Sequence, residues 1–334
     1  MLPHTRQAGA ALLAAMLTVA LVATFAATAL WQQWRATEIE SAERARIQAA
    51  WILVGALDWS RLILREDSLA RAGDGTDNLT EPWSVPLAEA RLSTFLAAQR
   101  GVAQVPDAST DTADAFLSGQ ITDQQALLNL RNLVQDGKPD ATAQQQFARL
   151  FQYLGLPAQE LEALTQQLQQ ALASGSPASA PLLPQSLAQL TWWGLPAASA
   201  TRLAPYATLL PARTPVNLNT AGAVVLWASA TGLSMAQAQQ LVDARQSRHF
   251  KNEAEAIRLL GDGAGNGGIT SATHAVSSQY FEVRGRLRLE GSTVEERSLV
   301  HKLRGEARTL WRERGALPAL AEAAPYNAAP KRAP

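Results

Sequence analysis

Cysteine is absent from the 334 residues, and with it go disulfides, thiolate nucleophiles and cysteine-ligated zinc. Charge is scarce, at 17% of the chain against roughly 25% in ordinary soluble domains. Lys plus Arg and Asp plus Glu number 29 each, so no global field draws the chain to nucleic acid or to an anionic surface. Histidine occurs only at His4, His249, His274 and His301, too scattered for an H-E-x-x-H zinc site, and G-x-S-x-G is missing as well. Catalysis is left without support, and the sequence reads as that of a non-enzyme. The length suffices for two modest cores, or for one core and an extended element.

What charge there is avoids one long stretch. Ala10 to Trp31 carries none, and at about 1.5 Å per residue the run reaches about 33 Å, the thickness of a bilayer core. Met1 to Gly9 is short and polar, with Arg6 and no acidic group. The positive-inside rule therefore keeps residues 1–9 cytoplasmic and sends Gln32 onward outside. A cleaved secretory signal would have a shorter apolar region and a small-residue end. Here the run ends in Leu30–Trp31–Gln32–Gln33–Trp34, which suits an interfacial aromatic anchor. Helical periodicity continues to about Asp67, with Ile39, Ala42, Ile47, Ala50, Leu53, Leu57 and Leu64 between charged positions and no proline. One helix over 10–67 is expected, half in lipid and half in water.

Beyond it, Arg71–Pro86 reads as a loop and Val85–Arg100 as a short amphipathic helix. FLSGQITDQQALLNLRNL, Phe116–Leu133, reads as a hairpin turning at Thr122–Gln125. From Lys138 to Ala272 the pattern is helical, broken by Ser174–Pro184. Alternation returns from Ala275, through Val276, Tyr280, Phe281, Val283, Leu287, Leu289, Leu299–Leu303 and Ala307–Trp311, as three or four antiparallel strands. Pro318–Pro334 is Ala/Pro-rich and expected to be disordered.

The N-terminus resembles that of a prepilin peptidase substrate, with a short basic leader ending in Gly9 before Ala10–Ala11–Leu12–Leu13. The resemblance implies cleavage between Gly9 and Ala10 and methylation of the new amino terminus. It also implies a Glu at the fifth mature position, where this chain has Ala14. An intramembrane carboxylate needs a partner, and a subunit that enters a filament first has no earlier neighbour to pair with. DWSRLILRED (58–67), EPWSVPLAEARLSTFL (81–96), FLSGQITD, PVNLNTA (215–221) and SSQYFEVRG (277–285), in that order behind this N-terminus, resemble the general secretion pathway protein K family. These are the minor pseudopilins of K type in type II secretion, which characteristically lack the Glu.

The implied fold is α+β. A long N-terminal helix packs on a small antiparallel sheet, the pseudopilin fold, with a large all-α insertion. The expected divisions are a leader at 1–9, the long helix at 10–67 with its membrane part at 10–31, a first head segment at 68–137, the helical insertion at 138–272, closing strands at 273–317 and a tail at 318–334. The resemblance further implies a place at the pseudopilus tip in a bacterial inner membrane, with the bulk of the chain periplasmic, serving export of folded proteins. Implied partners are minor pseudopilins of I and J type, other pseudopilins, the inner-membrane assembly platform, the prepilin peptidase and exported cargo. Calcium (Ca2+) in the head is implied too, with ligands unassigned.

One segment admits a second reading. Asn217, then Asn219–Thr220 capping a helix to about Ala230, Gly232 stopping it, and Ser234 capping a second helix to about Ser247, resemble a helix-hairpin-helix unit. Such units bind DNA phosphate through backbone N–H groups, and a membrane-anchored DNA receptor of the competence type is the alternative function. Ser234 stands where the second hairpin glycine would be. The block 138–272 carries about eight Lys/Arg against about seven Asp/Glu, without a basic footprint. Gly263–Gly268 satisfies G-x-G-x-x-G but follows a helical pattern instead of a strand, so it reads as a loop. With Asp262 and Asn266 it still lacks the ligand spacing of an EF-hand. Trp192–Trp193 reads as core aromatics.

Overall fold

The computed structural model describes residues 8–69, 74–93, 115–173, 181–261, 267–289 and 292–315. The leader up to residue 7, the helix expected to continue to Arg100, most of the glycine-rich loop and the tail from Pro318 lie outside the described residues.

Helix α1, Ala8–Leu69, runs unbroken for 62 residues. Its first half is exposed throughout, with Leu13, Leu17, Val22, Phe25 and Leu30 turned outward, and by length and composition it can cross a membrane. The few polar side chains there are satisfied within the helix. Thr18 Oγ1 donates to the Ala15 carbonyl at 2.9 Å, and Thr28 Oγ1 to that of Thr24 at 2.8 Å, as lipid surroundings demand. The Arg35 guanidinium lies 5.5 Å from the Trp31 ring, at the end of the uncharged run.

Past residue 44 one face of α1 becomes buried. Ala45, Ala49, Leu53, Leu57 and Leu64 recur at helical spacing and lie against a five-stranded antiparallel sheet. Its strands are β1 (Leu87–Arg91), β2 (Ala115–Asp123), β3 (Tyr280–Leu289), β4 (Ser292–Leu303) and β5 (Glu306–Arg314), in that spatial order. Each fully buried leucine contributes roughly 1.5–3 kcal/mol. Ile47 falls on the opposite, exposed face with Trp51 and Leu62, and Ile39 is exposed ahead of the sheet. Sequence periodicity had mixed these two faces.

Two glycines pair across β2 and β3, Gly119 and Gly285; the second makes room for α1 and the first for the backbone of β3. A Cβ on Gly285 would stand 3.1 Å from Leu53 Cδ2, and one on Gly119 only 2.7 Å from the Arg284 carbonyl oxygen.

Two expectations are corrected. Residues 87–91 form strand β1, paired with β2, where a helix was expected from Val85. The Phe116–Leu133 hairpin does not form. β2 is one straight strand between β1 and β3. At its end the Asp123 carboxylate accepts from Gln125 N at 2.7 Å and starts a 3₁₀ turn, Gln124–Ala126. That turn sends the chain out of the sheet. Leu128–Asn129 then pairs in parallel with Ala207–Thr208.

Between β2 and β3 the chain builds a helical block with its own core. It contains α2 (Ala141–Leu154), α3 (Ala158–Leu172), a 3₁₀ turn (Leu187–Trp193), α4 (Ala197–Leu203), α5 (Ala223–Ser229), α6 (Met235–Ser247) and α7 (Glu253–Leu260). Phe147, Leu150, Leu203, Leu218, Leu226 and Leu241 lie at its centre. The core begins at Leu128, before the change of composition at Lys138. Val216–Asn217 pairs in parallel with His274–Ala275, which joins the middle of the block to its exit.

Candidate functional site

The block, the sheet and the end of α1 meet at a joint made of polar groups. Asp123, at the end of β2, is 3% exposed. Its Oδ2 accepts from Thr220 Oγ1 at 2.5 Å, Ser278 Oγ at 2.6 Å and Asn217 Nδ2 at 3.0 Å. Counting Gln125 N, four donors saturate the carboxylate. Burial still raises its pKa, against the pull of those hydrogen bonds.

Asn217 also donates to the Asp77 carbonyl at 3.0 Å, and its Oδ1 accepts from Asn219 N at 2.9 Å. Asp77 Oδ2 accepts from Ser278 N at 2.8 Å. The loop after α1, strand β2, the block and the entry to β3 are therefore stitched by side chains that are all buried. Such groups cost stability unless every partner is present, so the joint is fixed in one geometry.

A second layer carries charge. Lys302 of β4 donates from Nζ to Asp67 Oδ2 at 2.8 Å and to Asp77 Oδ1. Burial alone would lower its pKa, but the Asp77 and Asp67 carboxylates reverse the sign and raise it. Burial pushes Asp77 up to about 6 despite Lys302, and Glu81 up to about 7 despite its hydrogen bond from Trp83. Glu81 Oε1 accepts from Asn78 Nδ2 at 3.0 Å, and Oε2 accepts from Trp83 Nε1. The Trp83 ring meets Phe281 edge-on at 5.0 Å. Further out, His249 Nε2 lies 2.7 Å from Asp74 Oδ2, a second tie between block and loop. That bond and Thr76 hold Asp74 at about 2.

Among the described residues, Asp67, Asp77 and Glu81 are the group of acidic side chains close enough to share a metal, with ligand atoms within 4.8 Å of one another. They do not fit calcium as they stand. Calcium takes six to eight oxygens, whereas these carboxylates already accept from Lys302, Ser278 N, Asn78 and Trp83.

The structure separates the residues singled out in the sequence. Asn217 and Thr220 enter the joint. Asn219 stands behind them, its Oδ1 accepting from Phe250 N at 2.8 Å; Gly222, not Asn219 or Thr220, caps α5. Ser234 caps α6 in a capping box with Gln237. The hairpin backbone is covered by the chain itself. A Cβ on Gly232 would lie 2.8 Å from the Gly267 carbonyl carbon, and one on Gly268 2.9 Å from Thr231 N. Arg149 holds the same turn, bonding the Ala230 and Leu233 carbonyls at 3.1 and 3.0 Å while lying over Trp227. Phosphate would have to displace this packing. Gly9, Ala10 and Ala14 lie in the first turns of α1, with Ala14 exposed.

Asp77, Glu81, Asp123, Ser278 and Lys302 were not singled out as functional. The signal was present for four of them. Glu81, Asp123 and Ser278 lie within the fragments EPWSVP, FLSGQITD and SSQYF, and Asp77 lies just before the first of these. Lys302 sits in a strand that read simply as alternation.

Known proteins resemble this chain in both parts. Two family models described as type II secretion system (T2SS), protein K, match, one over residues 216–277 and one over residues 126–212. The type II secretion system protein K of Pseudomonas aeruginosa is 26% identical over 304 residues, covering 83% of each chain. In three dimensions the chain resembles one from the crystal structure of the GspK–GspI–GspJ complex of enterotoxigenic Escherichia coli. That match has a TM-score of 0.61 and 19% identity over 82% of this chain and 98% of the other.

Proposed function

The chain is a relative of type II secretion system protein K, and we propose that it acts as the minor pseudopilin that starts or caps the pseudopilus from its tip. The observation that carries this reading is the combination of an exposed apolar helix with a wide helical block inserted between β2 and β3. A single-span helix gives a subunit that is held in a membrane and can later pack against other helices. A block of this size on the head leaves no room for another head to stack above it. The role is mechanical.

Several consequences belong to the same reading. The prepilin peptidase cuts between Gly9 and Ala10, and Ala10 becomes the methylated N-terminus. Residues 1–9 face the cytoplasm of the inner membrane, the assembly platform engages the helix there, and the head is periplasmic. The head partners are minor pseudopilins of I and J type, in keeping with the GspK–GspI–GspJ complex that the fold resembles. Ile47, Trp51 and Leu62, on the face of α1 turned away from the sheet, suit contact with the helices of other pseudopilins. Exported cargo meets the assembled tip.

Ala14 supplies the experiment. It replaces the carboxylate that would bond an earlier subunit's amino terminus, and a tip subunit has no earlier subunit. Ala14→Glu should leave secretion of exoproteins into the medium at or below the wild-type level, because the new carboxylate is unpaired in lipid. A clear gain in secretion would contradict the tip position.

A further inference from the structure

We propose that the ammonium of Lys302 is the built-in cation of the Asp67–Asp77–Glu81 cluster, so that the joint between head and helical block closes without a divalent metal at this place. This holds whether or not the chain sits at the tip.

Three carboxylates within 4.8 Å of one another repel strongly when buried, and a fold that gathers them must supply positive charge or keep a carboxyl protonated. A divalent ion is one solution. Here the charge comes from β4. Lys302 is 8% exposed, and its Nζ reaches Asp67 on α1 and Asp77 on the following loop together. The same nitrogen lies 5.0 Å from the Phe281 ring, so the ammonium is held from one side by carboxylates and from another by an aromatic face.

The remaining oxygens are occupied in a way that suits a monovalent centre. Asp77 Oδ2 accepts a backbone N–H from Ser278, and Glu81 accepts from Asn78 and Trp83. Each of these bonds removes a lone pair that a calcium ion would need. A calcium ion at the centre would have to expel Lys302 from two ion pairs and leave an ammonium buried without a partner, at high cost. The joint is thus kept closed by covalently attached charge, whatever the level of calcium around the head.

Removing the ammonium reverses the preference. Lys302→Met keeps the length and apolar stem of the side chain, leaves three carboxylates facing one another, and turns the cluster into a vacant acidic site. Terbium, a luminescent stand-in for calcium, reports this locally, because Trp83 bonds Glu81 directly and can sensitise an ion bound there. The measurement uses full-length protein in detergent micelles, each variant compared with its Trp83→Phe counterpart. The wild type is expected to show no Trp83-dependent terbium emission. Lys302→Met is expected to show it, with quenching by calcium in the roughly 10⁻⁴–10⁻³ M range of extracellular modules. Lys302→Arg, which keeps a cation in place, is expected to stay dark. Trp83-dependent emission from the wild type that calcium displaces would overturn the proposal even if the methionine variant failed to fold. A folded Lys302→Met protein that stayed dark would overturn it as well.

Discussion

Replacing Asp123 with alanine should destabilise the chain by roughly 3–5 kcal/mol, the range for stranding the partners of a buried charged group. The carboxylate receives Thr220 Oγ1, Ser278 Oγ, Asn217 Nδ2 and Gln125 N. Alanine takes the acceptor from Thr220 Oγ1, Ser278 Oγ and Gln125 N inside the joint, while Asn217 keeps the Asp77 carbonyl and Ser278 Oγ. Heat denaturation of the full chain in micelles, followed by tryptophan fluorescence, should then move down by about 6–20 °C, at roughly 2–4 °C per kcal/mol for domains of this size. Asp123→Asn keeps one acceptor and removes the charge whose burial raises the pKa, so its loss should be smaller. Equal melting temperatures for wild type and Asp123→Ala would mean that the joint is open to water and holds nothing together.

The second large effect concerns the helical block. β2 and β3 are antiparallel neighbours, and Asp123 faces Phe281 across the ladder, so the two strand ends that carry the block lie side by side. Replacing residues 124–279 with a short Asn-Gly turn should convert β2 and β3 into a hairpin. Helix α1 would still cover the sheet through Leu53, Leu57 and Leu64. Circular dichroism should show a folded, strand-rich head with less helix, and the protein should remain in the membrane fraction. If the head caps the stack as proposed, secretion should fall to the level of a strain lacking the gene. Retention of full secretion would show that the block has no part in tip function.

How much of this was legible in the sequence follows from the range of each signal. The apolar first half of α1 is a long uncharged run, and the strands after Ala275 alternate cleanly, so both were readable from neighbours alone. The end of β2 was not. FLSGQITDQQALLNL alternates on both sides of Asp123, and only the turn started by its side chain and the distant partner strands decide that the chain leaves the sheet there. The same limit hid β1, whose apolar positions also fit a helix until β2 claims them.

The joint was half visible for a related reason. Asn217 and Thr220 attracted notice as part of a helix-hairpin-helix-like unit, Thr220 with Asn219 as a helix cap, whereas their partners lie far along the chain, at Asp77, Asp123 and Ser278. No spacing rule connects them. The ordered fragments that suggested the family are where most of these residues sit, so the resemblance marked the joint without explaining it. Gly267 and Gly268 were read as part of a loop. Their positive φ of 59° and 82°, together with the room Gly268 leaves for the 230–232 backbone and Gly267 for the Leu233 and Leu260 side chains, shows what a side chain there would obstruct.

The central claim, that this chain enters a pilin-like assembly pathway, is tested most directly at its N-terminus. The measurement is the mass and first residue of the protein recovered from membranes with and without the cognate prepilin peptidase. The account predicts a peptidase-dependent start at methylated Ala10. An intact Met1 in the presence of the peptidase, or cleavage beyond Trp31, would contradict it.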